Sequence, residues 1–171
     1  EITAALAEGR DASSPGDHVS IRVVGYRRPF AARRGSIPIW LAAVLPRMAA
    51  LAGEVADGFL DHPATSLRWL DDELRPAIAR GAERAGREAP PIAGAVIVAR
   101  DDEAPERARE AAALSVGFYA TVSTYERMFT EHGFGDRLRA IRRAFLAGDS
   151  AALADVVGRD MVDTFAVAGT R

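Results

Sequence analysis

The chain has no cysteine, which excludes disulfides, thiolate metal sites and a cysteine nucleophile. It also has no lysine, asparagine or glutamine, so all 22 basic residues are arginines. Neither a Schiff-base lysine nor the lysine of a phosphate-binding P-loop can therefore exist. The histidines are only His18, His62 and His132, with no pair at helical spacing and no HExxH run, so no metal centre is expected. A net charge of −2 leaves no global basic field for nucleic acid. No apolar run reaches the roughly eighteen residues of a membrane-spanning helix, and no charged-then-apolar segment opens the chain. What is present is a globular composition: 171 residues, 49% hydrophobic and 27% charged, enough to bury a sizeable core. Thirty-five alanines, with arginine in place of lysine, point to a GC-rich bacterial genome. The reading is of a cytoplasmic protein with neither nucleic acid nor membrane as partner.

Along the chain, Glu1–Gly9 has helical spacing and stops at a glycine, a frequent position just past a helix end. A loop follows, and then His18 to Val24 alternates as a half-buried strand would, with Val19, Ile21 and Val23 on one face. An arginine-rich connector leads to Ile37–Val44, a continuous apolar run that suits a strand buried on both faces. Pro46 sits where a helix favours its first-turn proline, and Met48, Leu51, Ala52 and Val55 form one apolar stripe. Phe59-Leu60 is a second short strand. Ser66 can cap a long helix from Leu67 to about Arg87, which Pro76 should kink or split. Ile92–Arg100 is a third strand run, and Asp101, Asp102 and Glu103 suit the start of the next helix. The remainder reads as helices. Ser123–Glu126 has the capping-box form, His132-Gly133 and Gly148 act as stops, and two short helices close the chain, the last with Met161, Phe165 and Val167. Gly169 to Arg171 reads as a turn. Repeated βα units imply a parallel sheet, either open or part of a barrel.

Most charged clusters have structural explanations. Arg27, Arg28, Arg33 and Arg34 beside Tyr26 and Phe30 read as a solvated connector. Asp71-Asp72 and Asp101–Glu103 lie near helix starts, where carboxylates serve as caps. Gly133-Phe134-Gly135 lies between helices rather than after a strand, so it is not a dinucleotide loop. Two places remain. His62 follows the Phe59-Leu60 strand, and parallel α/β folds bind ligands at strand C-termini; a plain loop histidine is the competing explanation. The turn Ala42, Ala43, Val44, Leu45, Pro46, Arg47 joins a strand to a helix N-terminus, where outward N–H groups and the dipole favour an anion. Small Ala42 and Ala43 allow close approach and Arg47 adds charge, although an ordinary βα loop has the same form.

Residues 38–60 (PIWLAAVLPRMAALAGEVADGFL) resemble a signature stretch of the luciferase-like monooxygenase superfamily, and more narrowly its branch that uses the deazaflavin coenzyme F420. The family pattern is a strand ending in two alanines, a turn, and a helix that reads Leu-Ala-Gly-x-x-Ala-Asp-Gly, matched here from Leu51 to Gly58. The similarity continues at Asp61, His62 and Pro63, at Arg68, Trp69 and Leu70, at Pro76, Ala77 and Ile78, and in residues 81–87. It is carried further by Gly117 to Ala120, Tyr125, His132-Gly133 and Asp160 to Asp163. The resemblance implies a (β/α)8 barrel with flavin or deazaflavin at the strand C-terminal ends. It places the cofactor-binding role on Ala42, Ala43, Val44, Leu45 and Arg47, where backbone amides contact the cofactor phosphate. The family commonly has glycine where this chain has Val44 and Leu45, whose side chains would narrow the approach. His62 would sit at the mouth near substrate or cofactor.

The expected fold is therefore α/β: part of a (β/α)8 barrel of about three parallel strands with helices, plus a helical insertion. A whole barrel of this kind needs at least about 200 residues. The chain is expected to be a single segment, residues 1–171, from the C-terminal half of such a barrel, opening in mid-helix and not turning over alone. The expected function is hydride transfer between coenzyme F420 and a small organic substrate, in a homo-oligomer. An FMN-dependent monooxygenase of the same superfamily and a non-catalytic partial-barrel interaction module are the alternatives. No residue stands out as the catalytic acid or base.

Overall fold

The computed structural model describes residues 2–170, which fall into two compact units, one ending at Ile39 and the other beginning at Trp40. The expected helix start at Glu1 and the end of the closing turn at Arg171 lie outside the described residues. In the first unit α1 (Ile2–Ala7) ends before Gly9, whose φ of 71° is a backbone conformation that glycine adopts freely. β1 (Ala12–Ser14) and β2 (Ile21–Val23) form an antiparallel pair, with Ala12 opposite Val23. The expected half-buried strand from His18 is thus shorter: His18 is exposed at a bend, and Val19 and Ile21 are 70% and 47% exposed. No other element of the first unit covers that face among the described residues, so alternation by itself is not enough to bury a strand. The arginine-rich connector is solvated, with Arg27 paired to Asp11 at 3.1 Å.

The second unit carries repeated βα connections. β3 (Trp40–Ala42), β4 (Gly58–Leu60) and β5 (Ile92–Ala93) form a parallel sheet in chain order, with Ala42 opposite Leu60 and Leu60 opposite Ala93. α2 (Pro46–Val55) connects the first two strands. Between β4 and β5, α3 (Leu67–Trp69), a π turn (Leu70–Leu74) and α4 (Arg75–Arg84) run on as one helix. Ser66 caps it by accepting the Trp69 N–H at 3.0 Å. Pro76 does not split that helix; the irregularity expected of it takes the form of the π turn just before it. Its missing N–H and its clash with the carbonyl four residues back fall beside the wider π turn, where Arg75 N–H reaches the Leu70 carbonyl instead.

α2 and α4 approach unusually closely. A Cβ on Gly53 would lie 2.1 Å from the Ile78 carbonyl oxygen, and one on Gly81 would lie 1.9 Å from that of Ala50. Gly53 of the signature stretch and Gly81 opposite it thus have a packing cause. Gly58 has another: a Cβ there would meet the Trp40 ring at 2.2 Å.

The run from Ile92 is not one strand. It breaks after β5, and β6 (Ile97–Arg100) pairs in parallel with β7 (Ala166–Gly169), Ile97 opposite Ala166. Between them lie α5 (Pro105–Ala120), α6 (Glu126–Glu131), α7 (Leu138–Leu146) and α8 (Ser150–Phe165). Gly158, at φ 69°, divides α8 into the two expected closing helices. Val167 and Gly169 belong to β7, not to a helix and a turn, because pairing with distant β6 overrides the local sequence. Ser123 forms no capping box; a 3-10 turn over Ser123–Tyr125 precedes α6 with no side-chain cap. Asp101 does act structurally, accepting the N–H groups of Glu103 and Ala104 before α5.

The core lies between strands and helices, around Phe59, Trp69, Leu74, Val116, Met128, Phe129, Ile141 and Met161. Leu41, Ile97 and Ala99 face it. Trp40, Leu60, Val98 and Val167 are exposed by 44–67%. The strand at Trp40 is therefore buried on one face only, contrary to the both-faces expectation, since no second layer covers it among the described residues. No helix is long and apolar enough to cross a membrane, and no group of acidic and histidine side chains could hold a metal, both among the described residues.

Candidate functional site

Two segments leave the same edge of the parallel sheet. The register sets Ala42 opposite Leu60, so residues 43–47 and residues 61–62 emerge side by side from the C-terminal ends of β3 and β4. Ala43 donates its N–H to the Leu60 carbonyl at 3.3 Å and Asp61 donates to that of Ala93 at 2.9 Å. Both anchor the start of their loops to the neighbouring strand.

In the first segment Leu45 is the residue before α2, in extended conformation with no side-chain cap, and Pro46 opens the helix. Proline has no N–H to leave unpaired. The N–H groups of Val44, Leu45, Arg47 and Met48 have no acceptor among the described residues. Four such donors at the positive end of a ten-residue helix suit an anion. The Val44 and Leu45 side chains pack partly against the core, and so obstruct the turn less than their size implies. Arg47 is exposed and forms no ion pair among the described residues. The Val44 carbonyl accepts the indole N–H of Trp69 at 2.9 Å, a tie that the sequence does not reveal, since the two residues are 25 positions apart.

In the second segment His62 is half-buried between Tyr119, edge-on at 4.6 Å, and Tyr125, tilted at 4.5 Å between centroids. Its Nδ1 accepts the Ala64 N–H at 3.2 Å. The neutral ring therefore carries its proton on Nε2. Burial pushes the imidazole pKa below its usual 6.5, against a smaller upward pull from Asp61. Asp61 is 7% exposed and accepts the His62 N–H at 2.7 Å. Burial raises its carboxyl pKa from 3.8, partly offset by the Thr65 hydroxyl, the His62 N–H and the charges of His62 and Arg75.

All six expected site residues thus collect at one sheet edge: Ala42 at the end of β3, Ala43, Val44 and Leu45 in the turn, Arg47 in the first turn of α2, and His62 after β4. The sequence reading did not assign site roles to Asp61, Trp69, Tyr119 and Tyr125. A buried carboxylate at a parallel strand end was the available signal for Asp61; the aromatic contacts are tertiary. His132 closes α6 as expected, but it also holds Ser66. The Ser66 hydroxyl and Nε2 are 2.7 Å apart, while Nδ1 donates to the Met128 carbonyl at 2.7 Å.

The family model of luciferase-like monooxygenases matches residues 1–171. The chain belongs to the luciferase-like monooxygenase family. Within that luciferase-like family it is 34% identical over 135 residues to an uncharacterised protein of Mycobacterium tuberculosis, covering 77% of this chain and 40% of the relative. It is 30% identical over 180 residues to 5,10-methylenetetrahydromethanopterin reductase of Archaeoglobus fulgidus, covering 99% of this chain and 51% of the relative. The solved coenzyme F420-dependent tetrahydromethanopterin reductase of Methanopyrus kandleri superposes with a TM-score of 0.77 at 25% identity, covering 99% of this chain and 48% of that one. This luciferase-like chain therefore spans about half the length of the relatives it matches, and its parallel βα units are part of their barrel fold.

Proposed function

We propose that the protein is a coenzyme F420-dependent oxidoreductase that moves a hydride between the deazaflavin and a small organic substrate, acting in the bacterial cytoplasm as a homo-oligomer. The observation that carries this reading is the row of amides at Val44, Leu45, Arg47 and Met48, without acceptors among the described residues, beside His62 at the C-terminal edge of the parallel strands. In barrels of this kind active sites lie at that edge. Relatives whose names specify coenzyme F420 add support.

Ala42, Ala43, Val44, Leu45 and Arg47 would hold the cofactor phosphate through backbone N–H groups and the Arg47 charge. The amide donors and the small alanines before them fit that group. Bound there, the deazaflavin would supply the hydride-carrying ring. His62, neutral and protonated on Nε2, would present a donor rather than a base, with its plane fixed by Tyr119 and Tyr125. Asp61 would brace the loop through the His62 N–H.

An FMN-dependent monooxygenase is the second reading, because a turn that recognises phosphate does not by itself choose the ring system. Anaerobic hydride transfer separates the two. The full-length protein that contains this segment should exchange hydride with F420 and an organic substrate without consuming oxygen. Oxygen uptake with reduced FMN and no reaction of F420 would overturn the first reading.

A further inference from the structure

The Trp69 side chain is 2% exposed and has one polar atom, its indole nitrogen. A buried indole N–H needs an acceptor. It finds the Val44 carbonyl, in the middle of the amide-rich turn, at 2.9 Å. The 44–45 peptide is trans, as are all peptides among the described residues. In a planar trans peptide the C=O and the following N–H point in opposite directions. Drawing the Val44 carbonyl toward buried Trp69 therefore turns the Leu45 N–H away from the core.

The tryptophan is itself held. Its backbone N–H is accepted by Ser66, whose hydroxyl reaches His132 Nε2. The Arg127 guanidinium lies 5.5 Å from the ring centroid.

Resting on the F420 reading above, we propose that Trp69 is a positioning residue: its indole N–H holds the Val44 carbonyl inward and so aims the Leu45 amide at the phosphate of the bound cofactor. Trp69 itself touches no cofactor atom in this scheme. In this scheme the role is specific to the phosphate, because the Leu45 amide is aimed at that group. Freed from the indole, the 44–45 peptide can rotate and present its carbonyl oxygen to the anion, exchanging an attraction for a repulsion.

The test is the Trp69→Phe variant of the full chain, which keeps an aromatic ring and deletes the donor. Binding of F420 and of its ribityl deazaflavin core, which lacks the phosphate and everything beyond it, is measured by fluorescence titration. The expected result is about tenfold or greater weakening for F420, the loss carried by one hydrogen bond to a charged group, with unchanged affinity for the core. Equal losses for both ligands would mean a merely structural role and overturn the proposal, as would no loss for either.

Should the variant not fold, the unsubstituted chain is titrated with inorganic phosphate and followed by amide resonances. A shift of the Leu45 amide with the Trp69 indole resonance in place supports the proposal. Shifts at Arg47 and Met48 that leave Leu45 unmoved overturn it. If the unsubstituted chain binds the core as well as F420 and no turn amide responds, the phosphate reading itself fails rather than the role of Trp69.

Discussion

Replacing Gly53 by alanine should destabilise the protein, although intrinsic helix preference predicts the reverse. In an exposed helix interior the change gains about 1 kcal/mol. Here the new Cβ would lie 2.1 Å from the Ile78 oxygen, 2.9 Å from the Ala82 nitrogen and 3.0 Å from the Ile78 carbonyl carbon. All three are backbone atoms, so no rotamer change relieves the overlap. Ordinary contact begins at 3.4 Å, which demands a separation of α2 from α4 of about 1.3 Å. A radial gap of about 0.5–1 Å forfeits a quarter to a half of each dispersion contact. Ala49, Ala52, Ala77, Ile78 and Ala82, all 2% exposed or less, line the two helices. Overpacking of this kind costs about 1–3 kcal/mol before that loss. After the propensity gain, the expected net is about 2 kcal/mol of destabilisation, or a Tm lower by roughly 4–8 °C for a chain of this size. Urea unfolding measures it, with Gly94→Ala as control, since a Cβ there meets nothing within 4 Å among the described residues. A stabilised Gly53→Ala would refute the close-approach account of the signature glycines.

Two further perturbations bear on the site. Burial raises the Asp61 carboxyl pKa above 3.8, so between that value and the folded-state pKa the folded protein holds more protons than the unfolded chain. Its contribution to stability therefore declines as pH rises through that window. Asp61→Asn keeps an acceptor for the His62 N–H, and its advantage over the unsubstituted protein should grow with pH in denaturant titrations; an advantage that shrinks contradicts the assignment. Ser66→Ala removes a helix cap and leaves His132 Nε2 without its partner inside the fold. About 2–3 kcal/mol of destabilisation is expected by thermal unfolding, and a change below about 0.5 kcal/mol would mean the pair contributes nothing beyond exposed polar contacts.

The parts of this fold written in local chemistry were legible. Ser66 as a cap, Pro46 at a helix start, Gly148 as a stop and the βα order from Trp40 to Leu60 each depend on neighbours within a few positions. The turn and His62 followed from that order, because strand ends in a parallel sheet share an edge. What escaped depends on distant pairing. β7 is four residues without a distinctive pattern, and it is a strand because β6 lies alongside. The alternation near Val19 reads like a buried strand, yet no other element of its own unit covers it among the described residues. Trp69 with Val44 spans 25 positions and Ser66 with His132 spans 66. No periodicity encodes such contacts.

Amide hydrogen exchange of the full chain, with and without F420, tests the central claim most directly. The account predicts that the cofactor slows exchange at Val44, Leu45, Arg47 and Met48 and in the loop from Asp61 to Ala64, leaving the outer turns of α5 and α8 unchanged. Binding that protects other segments and leaves the 44–48 amides exchanging freely would contradict it.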